Sequence, residues 1–130
     1  MDELMRTMAA AASGMRAQSA RIRMSAENIA NADTPGYQRK VVTFEEMYDR
    51  TNETRAVSTG EVKLDSSPVE RQFQPNHPLA DADGYLEGSN VNLMIEVADS
   101  REANRTYQAN LRMFEQARDM NSALIDLLRK

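Results

Sequence analysis

The 130-residue sequence contains no cysteine and no tryptophan, only one histidine, and only 5% aromatic residues. The lack of cysteine excludes a disulfide-stabilised scaffold and thiolate metal sites. So few aromatic side chains would make a dense conventional core hard to build. Nine methionines and many alanines occupy the apolar positions instead. Both suit contact between helices, because alanine allows close approach and methionine adapts to irregular gaps.

Basic segments and long apolar runs are missing as well. Residues 41–90 carry four basic and ten acidic side chains, and no segment of the chain is strongly basic. This composition argues against nucleic-acid binding. No apolar run approaches the roughly 20 residues that a membrane span needs, so we expect no direct membrane insertion. The opening Met-Asp-Glu-Leu lacks the basic and apolar regions of a cleaved secretory signal. We therefore expect a cytosolic protein, or one exported by a route that needs no cleaved signal.

The N-terminal segment, residues 1–32, is predicted to be helical from about residue 3 onward. Apolar side chains recur in it at seven-residue intervals, and a second series lies three residues further along. The first series is Met1, Met8, Met15, Ile22 and Ile29, and the second is Leu4, Ala11, Gln18 and Ser25. This a/d pattern is typical of helices that wrap around one another.

The middle segment, residues 33–89, is predicted to be a small β-rich insert. It holds all four prolines and four of the five glycines. Candidate strands lie at residues 40–44, 61–64 and 69–73, where short runs are bounded by turn residues. An alternative for residues 44–50 is a single helical turn. The polar residues 49–59 are predicted to form a mobile loop, and the Asp-Gly step within residues 81–85 predicts a turn.

The C-terminal segment, residues 91–130, is predicted to be a second axial helix, with Asn90 or Asn92 as its N-cap. A spacing of three and four residues defines a second stripe along it. Its members are Tyr107, Asn110, Phe114, Ala117, Asn121, Leu124 and Leu128. Ile95, Leu111, Met113, Ile125 and Leu127 lie off this stripe, so a single partner helix would not cover every apolar side chain.

These three segments predict a mainly α fold. The long N- and C-terminal helices would pair antiparallel as a coiled-coil-like layer, with the small β-rich insert at one end. An antiparallel pair offers few inward positions, so much of the apolar surface needs partners from other chains. An exposed apolar stripe of that size is typical of an interaction surface.

The residues after the first helix predict an abrupt corner. Pro35 removes a backbone donor and restricts Thr34 to extended conformations. Asn31 favours local side-chain hydrogen bonds over helix continuation, and Gly36 permits a backbone conformation that other residues avoid. Tyr37 would then be directed by a rigid turn. On chemistry alone, an ordinary helix-to-strand connection explains the same residues equally well.

Three motifs resemble a known family. Asn-Ile-Ala-Asn-Ala-Asp-Thr-Pro-Gly-Tyr at residues 28–37 resembles the signature after the N-terminal helix of bacterial flagellar axial proteins, the rod and hook family. His-Pro-Leu-Ala-Asp-Ala-Asp-Gly-Tyr-Leu at 77–86, followed by Ser-Asn-Val-Asn at 89–92, is similar to a second block of a rod member. Arg-Thr-Tyr-Gln-Ala-Asn at 105–110 resembles the family's C-terminal helix motif. Residues 41–75 carry little of the resemblance.

The resemblance implies a structural subunit of the proximal rod of the flagellar basal body, with no enzymatic activity and no cofactor. Such subunits assemble with copies of themselves, other rod proteins, and export-gate and basal-body proteins. They form a helical tube that transmits torque and encloses the export channel. The resemblance also implies export, without a cleaved signal, through the flagellar type III apparatus to the periplasmic rod.

The resemblance assigns assembly roles to two groups of residues. Asn31, Thr34, Pro35, Gly36 and Tyr37 would shape the corner between the helices and the insert. Met8, Met15, Ile22, Ile29, Tyr107, Asn110, Leu111, Phe114, Leu124 and Leu128 would pack the helices. Heterologous contacts that do not close into a ring produce open helical filaments, which is compatible with this role.

Some of the same residues are also compatible with other functions. His77, Asp81 and Asp83 could ligate a metal in a small hydrolase, but a solvated turn next to proline explains them better. The methionine series with nearby arginines could form a membrane-surface helix, but Gln18 and Ser25 would sit poorly in lipid. The strongest alternative is a soluble cytoplasmic coiled-coil adaptor or chaperone.

Overall fold

The computed structural model describes residues 2–50 and 53–129 and has two long helices joined by two small antiparallel sheets. The helices are α1 (Glu3–Ala30) and α2 (Leu93–Leu128), and the strands are β1 (Lys40–Asp49), β2 (Thr54–Leu64), β3 (Arg71–Phe73) and β4 (Tyr85–Glu87). Strand β1 pairs with β2, and β3 pairs with β4. The first position of the N-terminal series, Met1, lies outside the described residues, as do Thr51, Asn52 and Lys130. Both predicted helices and the small β insert between them are confirmed.

Capping side chains explain where the helices begin. Asp2 precedes α1, and its Oδ1 accepts a hydrogen bond from the Met5 N–H at 2.8 Å. Asn92 precedes α2, and its Oδ1 accepts from the N–H groups of Met94 at 3.0 Å and Ile95 at 3.4 Å. These bonds satisfy donors that a helix leaves unpaired in its first turn. Of the two predicted caps for the second helix, Asn92 is the one used.

The two helices lie side by side and run in opposite directions. Asn28, near the end of α1, contacts Glu96 in the first turn of α2. Gly14, in the middle of α1, lies against Asn110, since a Cβ added at Gly14 would be 2.8 Å from the Asn110 Nδ2. The end of α1 therefore lies beside the start of α2, and the two helices are antiparallel.

Small side chains form most of the buried interior. The buried hydrophobic residues of the described chain are Ala11, Ala17, Leu86, Ala103 and Ala117, all at most 5% exposed. Among the described helices and strands, α2 packs only against α1, so Ala103 and Ala117 are covered by α1. The narrow alanine side chains let the two helices approach closely.

Strands β1 and β2 form a long hairpin that lies along α1. Their register runs from Lys40 opposite Leu64 to Asp49 opposite Thr54, with a shift between Val42 and Phe44. The Val57 N–H donates to the buried Ser13 Oγ at 3.1 Å, and Glu53 pairs with Arg6 near the start of α1 at 3.3 Å. The expectation that the insert sits at one end of the helix pair is therefore wrong.

Two further expectations for the insert are wrong. Residues 44–50 do not form a helical turn, because β1 continues to Asp49. Residues 49–59 are not a loop, because β2 begins at Thr54, although Thr51 and Asn52 lie outside the described residues. The predicted strands at 40–44 and 61–64 are only the paired ends of longer strands. Cross-strand pairing and contact with α1 extend both strands through sequence of weak intrinsic β-propensity.

The smaller sheet carries an aromatic pair. Strand β3 lies within the predicted strand at 69–73, and Phe73 meets Tyr85 of β4 edge to face with ring centroids 5.3 Å apart. Arg71 lies over the Tyr85 ring, 4.9 Å from its centroid. Gly84 has φ +84°, a conformation that glycine adopts without strain, so the predicted turn at 81–85 is confirmed.

Candidate assembly surface

The chain turns away from α1 through local hydrogen bonds of the predicted corner. The side chain of Asn31, the residue after the helix, donates from Nδ2 to the Glu27 carbonyl at 2.8 Å. The Asn31 carbonyl accepts from the Thr34 N–H at 3.0 Å, and the Thr34 hydroxyl lies 3.1 Å from Asn31 Oδ1. Pro35 follows, half-buried. Side-chain and turn hydrogen bonds therefore replace those of a continuing helix. This is expected where an asparagine lies a few residues before a proline.

Gly36 fixes the corner to the small sheet. It has φ +72°, and its N–H lies 3.1 Å from the Glu87 carbonyl and 3.2 Å from the Gly88 carbonyl. A residue with a Cβ is strained at this φ. The structure thus brings the end of the first sequence motif against the end of β4, and directs Tyr37 back toward α1.

Asn28 is the buried centre of the corner, with only 1% of its surface exposed. Its Nδ2 donates to the Lys40 carbonyl at 2.9 Å and to Glu96 Oε1 at 3.3 Å. Its Oδ1 accepts from the Tyr37 hydroxyl and the Lys40 N–H, both at 2.9 Å. One amide side chain therefore uses its full hydrogen-bonding capacity to join α1, the corner and α2.

A buried ion pair lies beside Asn28. The Arg39 Nε donates to Oε1 of Glu96, which is fully buried, and its guanidinium also reaches Asp99 at 3.2 Å and Asp65 at 3.6 Å. Burial lowers the pKa of Arg39, but the hydrogen bond and charge of Glu96 outweigh it, so the pKa is raised and the charge retained. Hydrogen bonds from Ser67 lower the pKa of Asp65, which keeps that carboxylate ionised opposite Arg39.

The second sequence motif meets the first at this point. Asn90 Oδ1 accepts from the Arg39 N–H at 2.6 Å, and its Nδ2 donates to the Asp65 carbonyl at 2.9 Å. The Ser89 hydroxyl donates to the Ala32 carbonyl. We refer to Asn28, Tyr37, Arg39, Asn90 and Glu96 as the corner cluster. Its bonds link α1, the corner, the segment after β2 and the entry to α2.

Two further titrating groups of the corner are held in one protonation state. Burial, with the nearby Glu27 carboxylate, raises the pKa of Tyr37, so its hydroxyl remains a donor to Asn28. A hydrogen bond to Glu27 raises the pKa of Lys40, which remains charged. The ion pairs and amide hydrogen bonds of the corner therefore fix the angle at which the hairpin leaves α1.

The predicted packing residues of α1 are more exposed than the smallest side chains of the second series. Met8, Met15 and Ile22 are half-buried, and Ile29 is 37% exposed. Within the second series, Leu4 and Gln18 are half-buried, whereas Ala11 and Ser25 are at most 4% exposed. The helix therefore turns its smallest side chains inward and leaves part of its larger apolar surface open.

The predicted packing residues of α2 divide into two groups. Tyr107, Asn110, Leu111 and Phe114 are half-buried along the helix pair. Leu124 and Leu128 are 52% and 86% exposed. Of the first group, Asn110 lies against Gly14 of α1, whereas the second group is largely exposed among the described residues.

Comparison with known proteins agrees with these motifs. A family model described as flagella basal body rod protein matches residues 8–38, and one described as the C-terminal part of flagellar basal body rod FlgEFG proteins matches residues 82–127. The flagellar basal-body rod protein FlgC of Agrobacterium fabrum is 42% identical over 99% of this chain and 98% of its own length. Its namesakes from Yersinia enterocolitica and Salmonella typhimurium are 35% and 33% identical, each over 85% of this chain and 87% of their own. The chain belongs to the FlgC family of flagellar basal-body rod proteins.

The corner cluster lies where the two matched regions of this FlgC-family chain meet. Asn28 and Tyr37 belong to the first matched region, and Asn90 and Glu96 belong to the second. In the sequence, Asn28 stands out only as part of a motif and Asn90 only as part of a motif and as a candidate N-cap, and nothing in the predicted site included Arg39 or Glu96. A signal for Glu96 was present, because the seven-residue series of Ala117, Asn110 and Ala103 extends back to it.

The candidate metal ligands are engaged in a turn of the FlgC-family insert. The His77 Nδ1 accepts from the Leu79 N–H at 3.0 Å. One oxygen of Asp81 accepts from the N–H groups of Asp83 and Tyr85, and the other pairs with Arg71 at 2.9 Å. Residues 2–50 and 53–129 contain no group of three or more metal-ligating side chains. Across the same residues, neither helix is long and apolar enough to cross a membrane.

Substituting Gly36 tests the corner directly. Gly36→Ala is expected to cost about 1 kcal/mol of unfolding free energy, because alanine is strained at positive φ. No atom lies within 4 Å of the position an added Cβ would take, so the loss reports backbone conformation alone. Gly36→Asn should cost less, since asparagine tolerates this region better. Urea unfolding followed by circular dichroism measures both, and equal stability of all three chains would contradict the assignment.

Proposed function

We propose that the chain is a structural subunit of the proximal rod of the bacterial flagellar basal body. It acts by packing, without catalysis or a cofactor. It polymerises with copies of itself and with other rod and basal-body proteins, including the export gate, into a helical tube. The tube transmits torque and encloses the export channel. Membership of the FlgC family supports the rod assignment.

The observation that carries the proposal is which apolar residues are buried and which are exposed. The five buried hydrophobic residues are four alanines and one leucine, whereas 21 larger apolar residues of the described chain are exposed. Monomeric soluble proteins rarely expose large contiguous apolar patches. This distribution favours a subunit whose apolar surface is completed by neighbouring molecules.

Each of the three segments has its own role in the proposed assembly. Residues 1–32 and 91–130 form a coiled-coil-like inner layer, in which the half-buried Met8, Met15 and Ile22 contact neighbouring subunits. Residues 33–89 form an outer layer whose angle is set by the corner cluster. Antiparallel contact between α1 and α2 and the close approach of Gly14 to Asn110 support this arrangement. The subunit reaches the periplasmic rod through the flagellar export route.

The test is incorporation into basal bodies in a normally flagellated strain from which its own FlgC-type rod protein has been deleted. Deleting the first or the last 25 or so residues is expected to abolish incorporation. Because deletions also disturb folding, Met113→Glu and Met120→Glu provide the sharper test. These side chains are 57% and 52% exposed, so the isolated chain should keep its stability while incorporation fails.

Gln116→Glu is the matched control, since it adds the same charge at an exposed polar position between the two methionines. It should incorporate normally. Sedimentation of the purified chain should show association that grows with concentration, and thermal unfolding followed by circular dichroism should be weakly cooperative. A discrete dimer with sharp unfolding would favour the adaptor or chaperone instead, and incorporation of the truncated chains would reject polymerisation through the terminal helices.

A further inference from the structure

The hairpin of β1 and β2 has two parts that are held in different ways. We define the root as residues 40–42 and 62–64, and the strap as residues 44–49 and 53–59. The root belongs to the corner, because Asn28 accepts a hydrogen bond from the Lys40 N–H and donates one to the Lys40 carbonyl, both at 2.9 Å. Asn28 is buried, so the root is fixed firmly to the end of α1.

A bulge separates the strap from the root. Gly60 and Glu61 of β2 lie there opposite Thr43 of β1 alone, so the register of the two strands shifts by one residue. A Cβ added at Gly60 would lie 2.6 Å from the Thr43 Oγ1, so a larger residue does not fit at the bulge. A bulge interrupts the ladder of hydrogen bonds locally and bends the strand. The hairpin can therefore change its angle at this point without disturbing the root.

Polar contacts hold the strap against α1. The Val57 N–H donates to the Ser13 Oγ at 3.1 Å, and Glu53 pairs with Arg6 at 3.3 Å. The Glu53 side chain is 72% exposed, and exposed ion pairs contribute little to stability. The strap is therefore held on α1 less firmly than the root.

Open clefts lie on both sides of the strap. The cleft between the strap, α1 and α2 is lined in part by Gly14 and Asn110, and the cleft on the other side in part by Arg16 and Arg23. Each has a volume of about 480 Å³. Closely packed elements leave few spaces larger than a water molecule between them. The strap therefore contacts α1 along a narrow line, with solvent-filled space on either side.

Docking of the strap buries part of α1 but leaves apolar side chains of the strap exposed. Phe44, Met47 and Tyr48 are 39%, 56% and 57% exposed. Beneath the strap, Ser13 and Ala17 are each only 2% exposed, and Ala17 lines both clefts. A neighbouring molecule can reach this face of α1 only after the strap has moved.

We propose that the strap is an autoinhibitory element, which is docked on α1 in the free subunit and swings away at the bulge when the subunit enters the rod. Docked, it covers the face of α1 around Ser13 and Ala17. A neighbour that binds only the released form shifts the population toward it. Regions with few buried apolar contacts open at low free-energy cost. The inference rests on the proposed function, since it concerns one step of rod assembly.

Cross-linking of engineered cysteines tests where the strap lies, because the chain has no cysteine of its own. The strap pair, Arg6→Cys with Glu53→Cys, joins α1 to the strap. The root pair, Glu27→Cys with Lys40→Cys, is the matched control, since it replaces another ion pair between α1 and the hairpin. A short bismaleimide should link either pair within one molecule of the free chain, because neighbouring thiols have a high effective concentration.

Basal bodies that contain the same double variants provide the decisive comparison. The root pair should cross-link as well there as in the free chain. The strap pair should give about tenfold less intramolecular product, because the released strap no longer keeps its thiol beside α1. Equal yields of this product in the free chain and in basal bodies would overturn the inference, since the strap would have stayed docked.

Hydrogen exchange of the unsubstituted free chain provides a second measurement that requires no variant to fold or incorporate. The Val57 N–H donates to Ser13 of α1, so its exchange reports docking of the strap. It should be protected, yet exchange at least about tenfold faster than the Lys40 N–H, because the strap opens while the root stays closed. An unprotected Val57 N–H, or equal rates for the two amides, would also overturn the inference.

The inference and the proposed function fail on different results. If the unsubstituted chain does not incorporate into basal bodies, the proposed function falls. If it incorporates and the strap pair still cross-links there as in the free chain, the autoinhibitory strap is wrong and the rod subunit stands.

Discussion

Replacing Glu96 with alanine is expected to lower the unfolding free energy by about 3 kcal/mol, the largest loss that we expect from any single substitution in the corner cluster. Glu96 is fully buried, and its Oε1 accepts from both Arg39 Nε and Asn28 Nδ2. Its removal leaves the Arg39 guanidinium, only 21% exposed, without its closest partner. Asp99 and Asp65 still contact Arg39, which holds the loss near the lower end of the range for a broken buried pair.

Glu102→Ala is the matched control for this prediction. Glu102 also pairs with an arginine of the first half of the chain, Arg21 at 3.6 Å, but its side chain is 69% exposed. Exposed pairs contribute at most about 1 kcal/mol, so the control should unfold close to the unsubstituted chain. Urea titration followed by circular dichroism compares the three proteins. Similar losses for both variants would mean that Glu96 is not the electrostatic anchor of the corner.

A local measurement gives the same answer without relying on a cooperative transition. The N–H groups of Arg39 and Lys40 donate to Asn90 Oδ1 and Asn28 Oδ1, so their exchange with solvent should be slow. Glu96→Ala should accelerate exchange at both amides, because opening the corner frees them. Exchange at the N–H groups inside α1 should change less.

The helices could be predicted from sequence because their signals are local. A seven-residue apolar period extends through α1, and Asn92 caps α2 with its own side chain. The corner was predictable for the same reason. Asn31, Pro35 and Gly36 each restrict the backbone within a few residues, so no distant contact was needed to infer that the helix stops there.

The length of the hairpin was missed because the contacts that stabilise its middle part are distant in sequence. Residues 49–59 have polar, weakly β-forming sequence, yet Thr54 pairs with Asp49 and the Val57 N–H reaches Ser13 Oγ, 44 positions away. Intrinsic strand preference is weak relative to such packing. The charged pair of the corner cluster, Arg39 and Glu96, was missed for a related reason, since Glu96 resembles an ordinary acidic residue in the first turn of a helix.

The apolar stripes predicted the contacting elements but not the point of closest approach. Large residues such as Met15 and Ile22 define the period of α1, but they are only half-buried. One close approach is between Gly14 and Asn110, where an added Cβ would lie 2.8 Å from the Asn110 Nδ2. A helix pair with few large buried side chains gains limited stability from the hydrophobic effect. The small size of the residues between α1 and α2 is therefore unusually important for its stability.

Ala103 is therefore the second position where a large effect is expected. It is fully buried on the face of α2 that α1 covers. Ala103→Leu adds three carbon atoms where the two helices are closely packed, and overpacking of this kind costs about 1–3 kcal/mol. We expect the upper part of that range, because relief requires α2 to move away from α1 and would stretch the contacts of Glu96, two turns along the helix.

Ala109→Leu tests whether the loss arises from the seam. It makes the same change on the same helix at an exposed position, where a change of alanine to leucine barely alters helix propensity. Its unfolding midpoint should match that of the unsubstituted chain, while Ala103→Leu should unfold at clearly lower urea and exchange the Arg39 N–H faster. If the two variants unfold together, the helices do not meet at Ala103 in solution, and the antiparallel packing of α1 against α2 would have to be abandoned.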